Sequence, residues 1–475
     1  MSCAEWRCLA CIGLLAAGCA PAAPYYVEQP LARLTATPND APPEAHVDAA
    51  RLPITSEQTL HNGMKLYVVE RPGSGLFTLY YTTRRARDDV EFLPVFVADA
   101  LTAGTQSSDG SVIYPVLLCG QPPSTHTTAE GTTIGVTCTA RHFDEVLERT
   151  ADLVQRPLFE PKWLTQVLSA EQESLARIRS RYWQWSVVSE HSGSPFEVDP
   201  EQIAKQLRAV DHAALTRAHR ELFGPRDSAL VVVGDISAAH VLAAAGAQFG
   251  SWGDFLPTPA PPTTSAQTAP KAEARAGRQL LVFERQREKT SLFVVQNAPS
   301  ADSPDAAPFE LLSLILGGNS KSGLLDSLRY RRAHVYAAQA ELVPVPTRGR
   351  FLVLETTVSE RTLSEDLSVM LHRLAELRTT PLDQAEIDGA KARFNAGLAT
   401  SLAFSRGLAS YLALAEIGRV PRLDEERTRF DRTSAADIQR VAQRYLDPDR
   451  ATIVIDGTVS SLMPDLRRFG DVSER

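Results

Sequence analysis

From about residue 59 onward, apolar residues fall in short runs separated by turn residues. Lys65-Leu66-Tyr67-Val68-Val69 follows a turn at His61-Asn62-Gly63 and predicts a strand. The stretch GSGLFTLYYT, residues 73–82, holds the next strand, and the pair reads as the start of a meander. Further extended runs lie near 124–139 and 229–233. Helical spacing of apolar residues predicts helices near 92–103, 143–155, 163–180 and 201–222. Strands and helices therefore mix without strict alternation, which excludes a simple βαβ chain.

The two halves of the chain close alike. Asp211 is an N-cap candidate for a helix with Leu215, Ala218 and Leu222 on one face, and Pro225 stops it. Ser434 caps a helix carrying Ile438, Val441 and Tyr445, with Asp437 completing a capping-box pattern, and Pro448 stops it. Cap to proline is 14 positions in both cases. Nine positions further on, each half reaches a glycine, Gly234 or Gly457, through an apolar strand. Each then ends on Phe-Gly, at Phe249-Gly250 and Phe469-Gly470. This repetition argues for an internal duplication. The expected class is α+β: two duplicated domains, each an antiparallel sheet with helices packed on one face.

Composition sets the boundaries. Residues 20–55 are rich in Pro and Ala, and so are 255–278 with added Thr; neither can build a core. The expected plan is a signal peptide over 1–18, a tether over 19–55, a domain over 56–254, a linker over 255–278 and a domain over 279–475. Cys8 to Gly18 forms a short apolar stretch ending in small residues before Cys19. It resembles a bacterial lipobox, with Cys19 as the lipidated residue; a plain secretory signal is the alternative. Cys119 and Cys138 then remain in the mature body, either as a disulfide or as two buried thiols. Net charge is −8 with no basic stripe, which argues against nucleic acid as a partner.

Several segments together resemble the insulinase/pitrilysin (inverzincin) metallopeptidases, including the mitochondrial processing peptidase and its bacterial relatives. They are TLHNGMKLYVVE from Thr59, ALVVVGDISAAHVLAAAGAQFGSW ending at Trp252, LLSLILGGNSKSGLLDSLRYRRAHVYAA from Leu311, and PLDQAEIDGAKARFNAGL from Pro381. The resemblance implies a helix with His-x-x-Glu-His followed by Gly-Thr, whose histidines bind zinc while the glutamate activates water. Here Gly104-Thr105 marks the anchor, and the three key positions fall on Val95, Ala98 and Asp99. Valine has no donor atom and alanine cannot take a proton. Asp99 could ligate, but a catalytic zinc usually needs three protein ligands. The family's third ligand maps to Glu173 or Glu171, which also fit solvated positions on an amphipathic helix. His212 and His219, seven apart on one helical face, read as ordinary histidines, as do His126, His142 and His191.

The resemblance also implies an arginine and a tyrosine, four apart, that point at the zinc site of a partner half-molecule. They bind substrate backbone and the developing oxyanion. Here they fall on Arg332 and Tyr336 in SLRYRRAHVYAA. Ala333 replaces the glycine that usually follows the arginine, at a cost of about 1 kcal/mol if φ is positive there. Lost zinc ligands with a retained Arg/Tyr pair imply a catalytically inactive, substrate-binding partner subunit. The zinc cofactor would sit in a homologous peptidase, the substrates would be unfolded peptides, and the location would be the periplasmic side of the cell envelope, at the outer membrane. A peptide-binding or scaffold module without catalysis is the alternative. An active metalloendopeptidase built on Asp99 and Glu173 is the third.

Overall fold

In the computed structural model, the described residues are 54–84, 97–159, 210–253 and 277–474, plus 164, 165, 169 and 205. Within these spans 99, 102–104, 107–111, 114–118, 122, 128–130, 302, 319–320, 345–349, 419 and 421–422 are excluded. All lie in one compact unit, His46–Arg475. Cys19, Val95, Asp99, Glu171, Glu173 and His191 fall outside the described residues, as do the signal, the tether up to 53, and 254–276 of the expected linker.

The first half contributes β1 (Ser56–Thr59), β2 (Lys65–Glu70), β3 (Leu76–Thr83), β4 (Thr105–Gln106), β5 (Val112–Ile113), β6 (Ser124–Thr127), β7 (Thr132–Thr139) and β8 (Ser228–Gly234). Its helices are α1 (Phe143–Gln155), α2 (His212–Leu222) and α3 (Ala238–Phe249). The second half contributes β9 (Gln279–Glu284), β10 (Thr290–Ala298), α4 (Ala306–Gly317), β11 (Ala338–Pro344) and β12 (Arg350–Val358). There follow α5 (Leu363–Thr379), α6 (Gln384–Ala403), α7 (Ser405–Glu416), α8 (Leu423–Arg432), α9 (Ala435–Tyr445), β13 (Thr452–Gly457) and β14 (Asp471–Glu474).

Two six-stranded sheets result, in the orders β1-β2-β8-β3-β7-β6 and β11-β12-β10-β13-β9-β14. Read from opposite ends, five strands correspond: β2-β8-β3-β7-β6 matches β9-β13-β10-β12-β11, so the duplication is visible in the topology. The remaining edge strands differ, β1 pairing antiparallel with β2 and β14 parallel with β9. The correspondence extends to register: β2 runs parallel to β8 with Glu70 opposite Gly234, and β9 runs parallel to β13 with Glu284 opposite Gly457. Each glutamate accepts a backbone N–H from the segment after the glycine, Ala238 N at 2.6 Å and Val459 N at 3.0 Å. A Cβ on Gly234 would lie 2.4 Å from Phe77 Cα, and one on Gly457 would lie 2.7 Å from Thr290 Cα. Both glycines are therefore required by close strand approach.

Three expectations change. The sheets are mixed, not antiparallel, because β2–β8, β9–β13 and β9–β14 are parallel pairs. Residues 65–83 are no meander, because β8 inserts between β2 and β3. Helices also cover both faces of the first sheet. One face buries Leu66, Val68, Leu79, Leu230 and Val232 with Val146, Leu147, Leu215 and Val241 from α1, α2 and α3. The opposite face buries Tyr67, Val69, Tyr80, Val231 and Val233 beneath Leu408, Ala409, Leu412 and Ala413 of α7. Thus a helix from the second half roofs the sheet of the first. Polar contacts fix it at both ends. Arg71 donates to the carbonyls of Leu402 and Ala403, and Glu416 accepts from Tyr67 Oη at 2.7 Å and Lys65 Nζ at 2.9 Å.

The sequence's capping signals are met. Asp211 accepts from Ala214 N at 2.7 Å, and Ser434 with Asp437 forms the full capping box.

Candidate functional site

Ala98 sits in a short helical segment and is 1% exposed. At the position that the sequence resemblance assigns to a catalytic base there is a methyl group packed in the core, unable to hold or move a proton. Among the described residues no group of three His, Cys, Asp or Glu is placed to hold a metal ion. His212 and His219 do not converge: each ring bonds a different main-chain carbonyl, Leu158 O and Val154 O, both at 3.0 Å. Burial pushes His219 down to about 4. The expected ligand positions Val95, Asp99 and Glu173 lie outside the described residues.

Cys119 and Cys138 form a disulfide with Cα–Cα 4.8 Å. It ties the turn ahead of β6 to β7, where Cys138 faces Phe77 of β3.

The other expected site lies between α4 and β11. After a wide helical turn at Asp326–Tyr330 the chain reverses through Arg331–Val335. Ala333 N donates to Arg329 O at 2.8 Å, the bond of an αL closure, and His334 N donates to Leu328 O at 3.0 Å outside it. Such a closure needs a left-handed residue, and Ala333 supplies it at φ +54. Glycine is the natural occupant there; alanine carries a strain of about 1 kcal/mol.

This reversal displays the two residues. Arg332 donates from Nη1 to Ser327 O at 2.8 Å and from Nε to Glu365 Oε1 at 3.2 Å. Tyr336 is 81% exposed. Its ring lies 4.7 Å from the Arg329 guanidinium carbon, which also sits 5.8 Å from the ring of Tyr330. A guanidinium thus stacks between two exposed aromatic rings. Beside the turn a groove of about 690 Å³ is lined by Arg331, Arg332, Glu365, His372, Arg373 and Glu376 among others. Each of its arginines already faces an acid: Arg331 with Asp326, Arg332 with Glu365, Arg373 with Glu376.

Sequence reasoning missed His334 and Asp366. His334 Nδ1 stands 2.8 Å from Asp366 Oδ1, and Asp366 is wholly buried. No local signal joins them, since 32 positions separate the two residues.

Comparison with known proteins fits this arrangement. Residues 209–394 match the family model described as peptidase M16 inactive domain. Over these residues the chain is similar to that inactive domain. Its matched span runs from just before the Asp211 cap into α6, and so includes the Arg332–Tyr336 turn. This agrees with the insulinase/pitrilysin resemblance read from the sequence. Among solved structures, a protease from Helicobacter pylori superposes with TM-score 0.64 at 17% identity, covering 84% of this chain and 98% of that one. A peptidase M16 inactive domain from Pseudomonas fluorescens gives TM-score 0.64 at 17% identity, covering 85% and 98%. The periplasmic protease PqqL from Escherichia coli gives 0.64 at 14%, covering 87% of this chain and 49% of PqqL. The chain therefore spans about half of PqqL. At these identities the structures speak for the shared fold. No curated protein matches the sequence.

Proposed function

We propose that this M16 inactive-domain protein is the non-catalytic, substrate-binding subunit of a heterodimer with a zinc-bearing homologue. It would present Arg332 and Tyr336 to the partner's site and help bind unfolded peptides there. The observation that carries the reading is the exposed Arg332–Tyr336 turn, kept in a left-handed conformation even though the usual glycine is gone. Its complement is Ala98, a buried methyl where a base would stand. The chemistry is consistent: a guanidinium and a phenol hydroxyl aimed at one carbonyl oxygen stabilise the charge that develops during amide hydrolysis.

We also propose the residue plan 1–18, 19–55, 56–254, 255–278 and 279–475, with the mature chain anchored by a lipid on Cys19 and facing the periplasm at the outer membrane. Support comes from the lipobox-like stretch and from the fold shared with a periplasmic protease. Among the described residues no helix is long and apolar enough to cross a membrane.

The test is capture of the tagged chain from its native membrane. The proposal expects a co-purifying homologue with an intact His-x-x-Glu-His motif. Peptidase activity of the complex should be chelator-sensitive and fall by about 100-fold or more on Arg332→Ala, the scale of losing an oxyanion donor. Peptide binding with no co-purifying peptidase would instead favour a binding or scaffold module.

A further inference from the structure

The turn that carries Arg332 and Tyr336 is gripped from outside by the first turn of α5. His334 Nδ1 and Asp366 Oδ1 lie 2.8 Å apart and share a hydrogen bond. Asp366 Oδ2 has no partner among the described residues, although the carboxylate is fully buried. A buried carboxylate with an unbonded oxygen is costly, so its single side-chain partner matters. The neighbouring Glu365 receives Arg332 Nε. Two consecutive acidic residues therefore hold the two residues on either side of Ala333. Between them lies Ala333, at a φ of +54 that disfavours its side chain. If Ala333 relaxed to a right-handed conformation, the directions of the chain at Arg332 and Tyr336 would change together.

We propose that Asp366 and His334 are positioning residues: their bond holds Ala333 left-handed and so sets the direction in which Arg332 and Tyr336 are presented. The inference rests on the proposed role of Arg332 and Tyr336. It assigns no contact with peptide to either positioning residue.

The test uses the full chain and three variants. Asp366→Leu removes the bond without leaving a buried unpaired oxygen, so the protein should fold. Asp366→Asn keeps an acceptor. Asp366→Leu/Ala333→Gly removes the strain that the bond opposes. Hydrogen exchange is read at the amides of Ala333 and His334. Asp366→Leu should speed it on the order of ten-fold or more, the scale of losing a charged hydrogen bond. Asp366→Asn should stay near wild type, and the glycine double variant should recover most of the protection. Unchanged exchange in Asp366→Leu, or no recovery with glycine, overturns the proposal. In the complex captured from native membranes, with a quenched fluorogenic peptide as probe, kcat should fall in Asp366→Leu and return in the double variant, with KM little changed. If Arg332→Ala leaves that rate intact, the subunit reading fails while the exchange result stands. If Arg332→Ala abolishes the rate but Asp366→Leu leaves kcat unchanged, the positioning proposal alone fails.

Discussion

Two single residues carry energetic signatures that can be measured. Ala333 at φ +54 bears a strain that glycine would not. Replacing it with glycine should raise stability by about 0.5 kcal/mol at most, after allowing for glycine's greater freedom when unfolded. A denaturant midpoint that falls instead would show that the turn is not strained. His219 is the second. Its ring is buried, stacks on Phe223 at 5.0 Å and bonds Val154 O. Desolvation lowers its pKa from 6.5 to about 4. The folded value lies below the unfolded one, so as pH falls the unfolded chain takes the proton first. Stability from this group is full above pH 6.5 and is lost progressively as pH drops toward 4, by up to a few kcal/mol. His219→Gln should flatten that part of the stability curve; an unaltered slope between pH 6.5 and 4 would contradict the assignment. At this scale the sequence was only partly readable. It named Arg332, Tyr336 and the Ala333 strain from the motif. It could not name the His334–Asp366 pair, because the two are 32 positions apart and meet only through the packing of α5 on the turn.

At the scale of elements, the capped helices and the strands at the ends of each half were legible, because caps, stops and short apolar runs are local signals. The position of β8 was not, because parallel pairing of β2 with β8 joins segments far apart in the chain. One clue was nonetheless present. Leu66-Tyr67-Val68-Val69 and Ala229-Leu230-Val231-Val232-Val233 are continuous apolar runs, and such strands are buried on both faces. The second cover turned out to be α7, four hundred positions along the chain. Leu408 is fully buried beneath that helix. Leu408→Ala should therefore destabilise the first half's sheet by about 2–5 kcal/mol, although it lies in the second half. Loss of protection confined to α7, with the first sheet untouched, would contradict this packing.

For the whole molecule, the roofing of one half's sheet by the other half's helix means that the halves are not independent beads. A protease site inserted within 255–278 and cut should leave the two pieces co-eluting, since the apolar contact of α7 and the Glu416 and Arg71 bonds remain. Separation of the pieces under native conditions would contradict the fold. The duplication sharpens the functional asymmetry. The two halves share the order of five strands and the register of the parallel pair at their centre. Yet the position that the sequence resemblance assigns to a base holds the buried Ala98, while the turn in the other half displays Arg332 and Tyr336. The most direct measurement is metal content together with peptide cleavage by the isolated, homogeneous chain. The account predicts no stoichiometric zinc and no chelator-sensitive cleavage until a zinc-bearing homologue is added. Stoichiometric zinc with chelator-sensitive cleavage by the chain alone would contradict it.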